Sequence, residues 1–182
     1  IFNVSDKKIK IVFFYESKFY QKFSYDLIKF FTKTYPGQVC YVSSDLTDKI
    51  DDLDVKNLFI GNGLLRSFFF SLIKAEYFFL TLTDLGNHSI KKNKNIDKYV
   101  YYNHSGSSTF MGYTDGSFDN YDIILCNGQY QIDEIRFREK QKNIFKKDLI
   151  LTGHFYFDHI SKKINHNLDP KEILIAPTWS YD

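Results

Sequence analysis

Short apolar runs alternate with segments of helical spacing along most of the chain, and this alternation restricts the fold more than any other feature. The run KIVFFY at 10–15 predicts a buried strand, and 18–35 has apolar residues at helical spacing until Pro36-Gly37 ends it. Further strands are predicted at 38–42, 55–60, 77–83, 99–102, 121–126 and 148–153, with helices at 64–74 and 131–142. Strands that alternate with helices predict an α/β fold with a mostly parallel sheet and helices on both faces.

Two connections and the end of the chain carry further predictions. Ser43, Ser44 and Asp45 favour a capped helical turn toward Leu53, and the polar segment 86–94 predicts an exposed loop. A linker is predicted at 165–171 and another strand at 173–175. We therefore expect one domain over 1–164, followed at 165–182 by a linker and the first strand of a truncated second domain.

Charge and cysteine content exclude several classes of protein. The 182 residues carry 24 basic and 22 acidic side chains, so the near-neutral balance gives no basis for a nucleic-acid partner. Arg66, Lys74 and Glu76 interrupt the longest apolar stretch, which argues against a membrane span. Cys40 and Cys126 lie in apolar runs, which predicts buried reduced thiols and a cytoplasmic location.

His104 is the main candidate for chemistry because it follows the fifth predicted strand directly. Ligands bind at the carboxyl ends of strands in open parallel sheets. The histidine is followed by a run of hydroxyl side chains and a glycine: Ser105, Gly106, Ser107, Ser108 and Thr109. This pattern is typical of a general base beside an anion cradle, and the alternative is a histidine that only closes the strand–loop junction.

Gly61-Asn62-Gly63 occupies the position of a phosphate-binding turn, between a strand and a helix. The full GxGxxG spacing is absent, because Leu64, Leu65 and Arg66 follow. A structural turn is the favoured interpretation, and Gly61 and Asn62 are kept as candidate substrate-binding residues.

Acidic and histidine clusters do not have metal-site spacing. Asp115, Asp119 and Asp122 match no calcium loop, and solvated or helix-capping carboxylates are the favoured interpretation. The segment with His154, Asp158 and His159 has no third ligand at suitable spacing. We therefore predict no metal and no other cofactor.

The segment at 102–139, YNHSGSSTFMGYTDGSFDNYDIILCNGQYQIDEIRFRE, resembles the CDP-glycerol glycerophosphotransferase family of teichoic-acid and capsule polymerases. The family pattern has an apolar strand, His-Ser, a Ser/Thr-rich stretch, a Tyr and AFD.YD, then another strand and a helix. The matching positions are His104, Ser105, Ser108, Thr109, Tyr113, Ser117, Phe118, Asp119, Tyr121, Asp122, Gly128, Glu134 and Ile135. LTGHFYFDHI at 151–160 and ILIAPTWSYD at 173–182 are similar to later family segments. The chain departs from the pattern at Phe110, at Gly128-Gln129-Tyr130 in place of Gly-Pro-His, and at Ser180.

The resemblance implies the acceptor-side domain of a GT-B-type enzyme with two Rossmann-like domains. Such an enzyme transfers glycerol phosphate, or a related polyol phosphate, from a CDP-linked donor to a hydroxyl of a lipid-linked or polysaccharide acceptor, and releases CMP. His104 would be the catalytic base, and Ser105, Ser107, Ser108, Thr109 and Gly128 would bind substrate. The chain alone would be inactive. Peripheral contact with the inner face of the cell membrane would involve the Lys91–Lys94 loop and the run 64–79.

Two other functions fit the same sequence. One is a GT-B glycosyltransferase or epimerase that uses a UDP-sugar. The other is a non-catalytic Rossmann-like domain that binds an acceptor polymer, which the departures at Phe110 and Gly128-Gln129-Tyr130 favour.

Overall fold

The computed structural model describes residues 9–83, 85–86, 90–164 and 175, and its centre is a seven-stranded parallel sheet. The order across the sheet is β3-β2-β1-β4-β5-β6-β7, and every neighbouring pair is parallel. The strands are β1 Ile11–Tyr15, β2 Val39–Ser43, β3 Lys56–Phe59, β4 Ala75–Leu80, β5 Ile96–Tyr102, β6 Ile123–Cys126 and β7 Asp148–Leu151. The predicted α/β, Rossmann-like sheet is confirmed.

Helices cover both faces of the sheet, as predicted. The first, α1, spans Gln21–Thr34 after a 3₁₀ turn at Lys18–Tyr20, and α4 spans Phe155–Ser161. Ile28 of α1 and Phe155 of α4 pack on one face. Helices α2 (Leu64–Leu72) and α3 (Gln129–Lys142) pack on the other face through Phe70 and Ile135.

Aromatic side chains form much of the core on both faces of the central strands. Phe13 and Phe14 of β1 have no exposed surface. The Phe13 ring stacks on Phe79 with centroids 4.5 Å apart, and Phe14 meets the edge of Phe70 at 4.9 Å. Removing such a ring costs about 3–5 kcal/mol of folding free energy, so β1 anchors the sheet from its centre.

The chain reverses its direction of winding between β1 and β4. From β1 it proceeds outward to β2 and β3, returns through α2 to place β4 on the other side of β1, and then continues to β7. Crevices for ligands form at the carboxyl edge of sheets wound in this way. This edge is therefore the place to look for a site.

Two sequence predictions about connections are wrong. Residues 44–55 contain no helix, because the Asp45 carboxylate accepts the Thr47 amide at 2.9 Å and Asp48 turns inward to the Tyr41 hydroxyl. Local bonds of this kind compete with helix formation. The loop after β4 is not wholly exposed, since Ile90 and Asn93 are buried.

Two further predictions concern membranes and domains. No helix in the described ranges is long and apolar enough to cross a bilayer. The predicted linker and second-domain strand at 165–182 lie outside the described residues, apart from Ile175.

Candidate functional site

Buried polar atoms without a hydrogen bond of normal geometry collect at the carboxyl edge of the sheet. In the described part of the chain there are five: Tyr15 Oη, Ser44 Oγ, Tyr102 Oη, His104 Nδ1 and His154 Nδ1. Each lies at, or within three residues after, the carboxyl end of β1, β2, β5 or β7. Buried polar atoms in native proteins nearly always have a partner. Their concentration at one edge makes this edge the candidate position for a polar ligand or for ordered water.

His104 lies two residues beyond β5 and is enclosed by aromatic rings from the start of α1. Its ring centroid is 5.0 Å from that of Tyr20 and 5.8 Å from that of Phe23. Burial lowers the pKa of His104 below its ordinary value, and the nearby His154 lowers it further. The imidazole is therefore neutral at pH 7 and is able to accept a proton.

His154, which the sequence suggested only as a possible metal ligand and which spacing argued against, is a further candidate in the structure. It lies just before α4, where its ring stacks on Phe157 at 4.2 Å and meets Phe23 at 6.2 Å. Phe23 thus contacts both histidines, which come from strands separated by β6. The strand order that brings them together is not readable from sequence spacing. Among the residues that the structure describes, no group of three or more His, Cys, Asp or Glu side chains could hold a metal ion.

The predicted hydroxyl cluster after His104 is fixed mainly by contacts with α3. Glu134 accepts hydrogen bonds from the Ser108 hydroxyl at 2.8 Å and from both the amide and the hydroxyl of Thr109 at 2.6 Å. The Ser105 and Ser107 hydroxyls are bonded to each other at 2.9 Å. Ser108 and Thr109 therefore donate their hydroxyl protons to Glu134 and not to a ligand in this conformation.

Glu134 holds this loop as an ionised carboxylate. Burial opposes ionisation, but the hydrogen bonds from Thr109 and Ser108 hold the pKa of Glu134 below its ordinary value. Gly128 precedes α3, where the Tyr130 hydroxyl donates to the Gly106 carbonyl at 2.7 Å. The loop and the start of α3 thus form one unit beside His104.

The structure does not bring Gly61 and Asn62 to His104. They follow β3, which is separated from β5 by β2, β1 and β4. At about 4.8 Å per strand, the two ends are roughly 19 Å apart. Gly61 and Gly63 have φ angles of 63° and 65°, which favours the structural interpretation of this turn.

The acidic residues at 115–122 are paired with neighbouring groups and are not simply solvated. The Arg138 guanidinium bonds both carboxylate oxygens of Asp119, at 2.9 and 2.7 Å, and also pairs with Asp115. Asp122 accepts the backbone amide of Tyr99 at 2.9 Å. These carboxylates stabilise the segment between β5 and β6.

Two concave surfaces lie elsewhere. A cavity of about 110 Å³ lies between the 109–119 segment and α3, and an apolar groove of about 330 Å³ lies between α1 and β6–β7. Neither is lined by His104. The candidate site is therefore defined by its unpartnered polar atoms, and neither of these two concave surfaces is part of it.

Comparison with known proteins finds no family whose pattern matches this chain and no curated protein similar to it. The resemblance to the glycerophosphotransferases therefore stays a prediction from the quoted motifs.

Proposed function

We propose that the chain supplies the proton-accepting side of a transferase for polyol phosphates. The reaction moves glycerol phosphate, or a related polyol phosphate, from a CDP-activated donor to a hydroxyl of a cell-surface polymer. The observation that carries the proposal is the buried, unpartnered Nδ1 of His104, at a strand end where ligands bind in such sheets. The motifs around His104 supply the reaction class.

In the proposed reaction, the His104 imidazole takes the proton from the acceptor hydroxyl. The acceptor oxygen attacks the phosphorus that carries the polyol, and the bond from that phosphorus to the bridging oxygen breaks. The electron pair of this bond leaves with CMP. Only a neutral imidazole accepts the proton, so the rate falls as the pH drops through the lowered pKa of His104.

The exposed surface of α2 supports contact with the membrane that would carry a lipid-linked acceptor. Leu64, Leu65, Phe68 and Leu72 are between 54% and 89% exposed. At about 100° per residue they fall within one arc of the helix. Asn93 bonds the carbonyls of Phe70 and Ile73, which ties the segment that contains Lys91 and Lys94 to the end of α2. An apolar face flanked by lysines is typical of peripheral binding to anionic lipids.

Vesicle sedimentation tests this membrane contact. The double variant Leu64→Ser/Phe68→Ser is expected to bind phosphatidylglycerol vesicles at least about tenfold more weakly than wild type. Phe137→Ser removes an equally exposed ring from α3 and is the matched control. Equal binding by the two variants and wild type would exclude α2 as the contact surface.

The transfer itself is tested by CMP release from CDP-glycerol. Full-length protein is incubated with an oligosaccharide or lipid-linked acceptor, and His104→Ala is compared with His159→Ala on α4. We expect loss of about 10²–10⁴-fold in rate for His104→Ala only, the usual contribution of a general base. Equal rates for the two variants would refute the role of His104.

Competition by UDP-sugars would favour the glycosyltransferase or epimerase. Binding of an acceptor without turnover of any donor would favour the non-catalytic domain.

A further inference from the structure

We propose that Lys22 and His154 form an anion site that holds a phosphate group beside His104. The identification of this phosphate as that of the transferred polyol phosphate rests on the proposed function. The binding site itself rests on the positions of three side chains around the Phe23 ring.

Lys22 stands over the aromatic group that separates α1 from the two histidines. Its Nζ lies 4.1 Å from the ring centroid of Phe19, 5.1 Å from that of Phe23 and 5.3 Å from that of Tyr156. Phe23 and Tyr156 are in contact at 5.1 Å, so the ammonium group bridges α1 and α4. Cation–π contacts hold it at the rim, where N–H donors that do not face the rings can reach solvent or an anion.

The two histidines are on the same Phe23 ring and differ in their surroundings. Each has a buried Nδ1 without a partner among the described residues. The His154 ring also stacks on Phe157, which fixes its orientation. An imidazole N–H of His154 would donate to a phosphate oxygen, and hydrogen bonds to an ionised phosphate are charge-assisted and strong.

The two imidazoles have different roles in this arrangement. Burial, and to a smaller extent the neighbouring His154, lower the pKa of His104 and so favour its neutral form, which accepts a proton. A phosphate bound between Lys22 and His154 would compensate the positive charge of Lys22. The elements packed here also carry Asp26, Asp158 and His159, so the surface is of mixed charge and we expect millimolar affinity for free phosphate.

Histidine NMR provides a test that does not depend on transfer. Inorganic phosphate is titrated into the chain at pH 6.5 against sodium chloride of equal ionic strength, and the ring Cε1–H signals of the histidines are followed. We expect saturable shifts of the His104 and His154 signals. His154→Gln should weaken phosphate binding about tenfold, and Lys22→Gln about fivefold.

Matched variants separate this site from general charge effects. His159→Gln on α4 and Lys29→Gln on α1 remove the same kinds of side chain from exposed or partly exposed positions and should leave the affinity unchanged. Lys22 is exposed, so its variant is expected to fold even if His154→Gln does not. Absence of saturable shifts, or equal binding by Lys22→Gln and Lys29→Gln, would overturn the proposal.

The failure of the site and the failure of the proposed function give different results. Phosphate binding that needs Lys22 and His154, without CMP release from any CDP-linked donor, would leave the anion site standing and refute the transferase. CMP release that depends on His104, without phosphate binding, would refute the anion site alone.

Discussion

Glu134 offers the sharpest test of how the loop after His104 is held. Its carboxylate accepts three hydrogen bonds, one from Ser108 at 2.8 Å and two from Thr109 at 2.6 Å. The substitution Glu134→Gln keeps the size of the side chain but removes its charge and one acceptor oxygen. The neighbouring Asp133 accepts a single bond, from Gln129 on the exposed side of α3, so Asp133→Asn is the matched control.

The three bonds set the expected size of the effect. A hydrogen bond to a charged group contributes about 1.5–3 kcal/mol when buried. This carboxylate is only partly buried, so we use about 1 kcal/mol for each bond, or about 3 kcal/mol in total. Glu134→Gln should lose about half of this, roughly 1.5 kcal/mol, and Asp133→Asn less than about 0.5 kcal/mol.

Urea denaturation across pH separates the charge from the shape of the side chain. A carboxyl whose pKa is lowered by folding adds stability above its unfolded-state pKa and loses it as the pH falls through the folded-state pKa. The difference between wild type and Glu134→Gln should therefore be full at pH 7, start to decrease near the ordinary pKa of 4.5 and be lost as the pH falls through the lowered folded-state pKa. Amide hydrogen exchange at Thr109 should accelerate in the variant at pH 7.

Two results would refute this reasoning. Equal destabilisation by Glu134→Gln and Asp133→Asn would mean that the loop is not held by the carboxylate. A stability difference that does not decrease between pH 7 and the lowest pH at which the protein stays folded would mean that ionisation of Glu134 does not matter.

Further predictions concern the buried ionisable groups. Burial raises the pKa of Asp48, although the hydrogen bonds from Ser43 and Tyr41 oppose this shift. The free energy of unfolding should therefore decrease as the pH rises through that pKa. In urea midpoints, Asp48→Asn should abolish this pH dependence, whereas Asp51→Asn should retain it. Burial also raises the pKa of Cys40 to about 12 and of Cys126 to about 11. Iodoacetamide at pH 8 should therefore label both thiols only after unfolding, and labelling of native protein within minutes would contradict their burial.

The strands were predictable because their sequences are apolar and the segments that flank them in the chain are polar. β1 matches its run within one residue, and all five of its residues are buried. β5 begins three residues earlier than predicted, because Asp97 and Lys98 are exposed in the strand and do not read as apolar. Where a strand is only half buried, the length of the apolar run underestimates its length.

The site was predictable only for a residue whose position follows from a single strand. His104 follows from its position after β5 and the rule for parallel sheets. His154 lies 50 residues after His104 in the sequence, and Glu134 lies 25 residues after Thr109, whose amide it binds. Strand order and helix placement bring these residues together. The distance of Gly61 and Asn62 from His104 was not predictable for the same reason, since a strand end alone does not reveal which other strand ends lie beside it.

The position of β1 between β2 and β4 has a consequence for synthesis of the chain. β2 follows β1 closely, but about 60 residues separate β1 from its other neighbour, β4. At about 5–20 residues per second, a ribosome needs roughly 3–12 s to make that stretch. During this interval β1, whose five residues are all buried in the folded protein, has one unpaired edge, which is a template for aggregation. We therefore expect the nascent chain to be most prone to aggregation before residue 80 emerges and β4 pairs with β1.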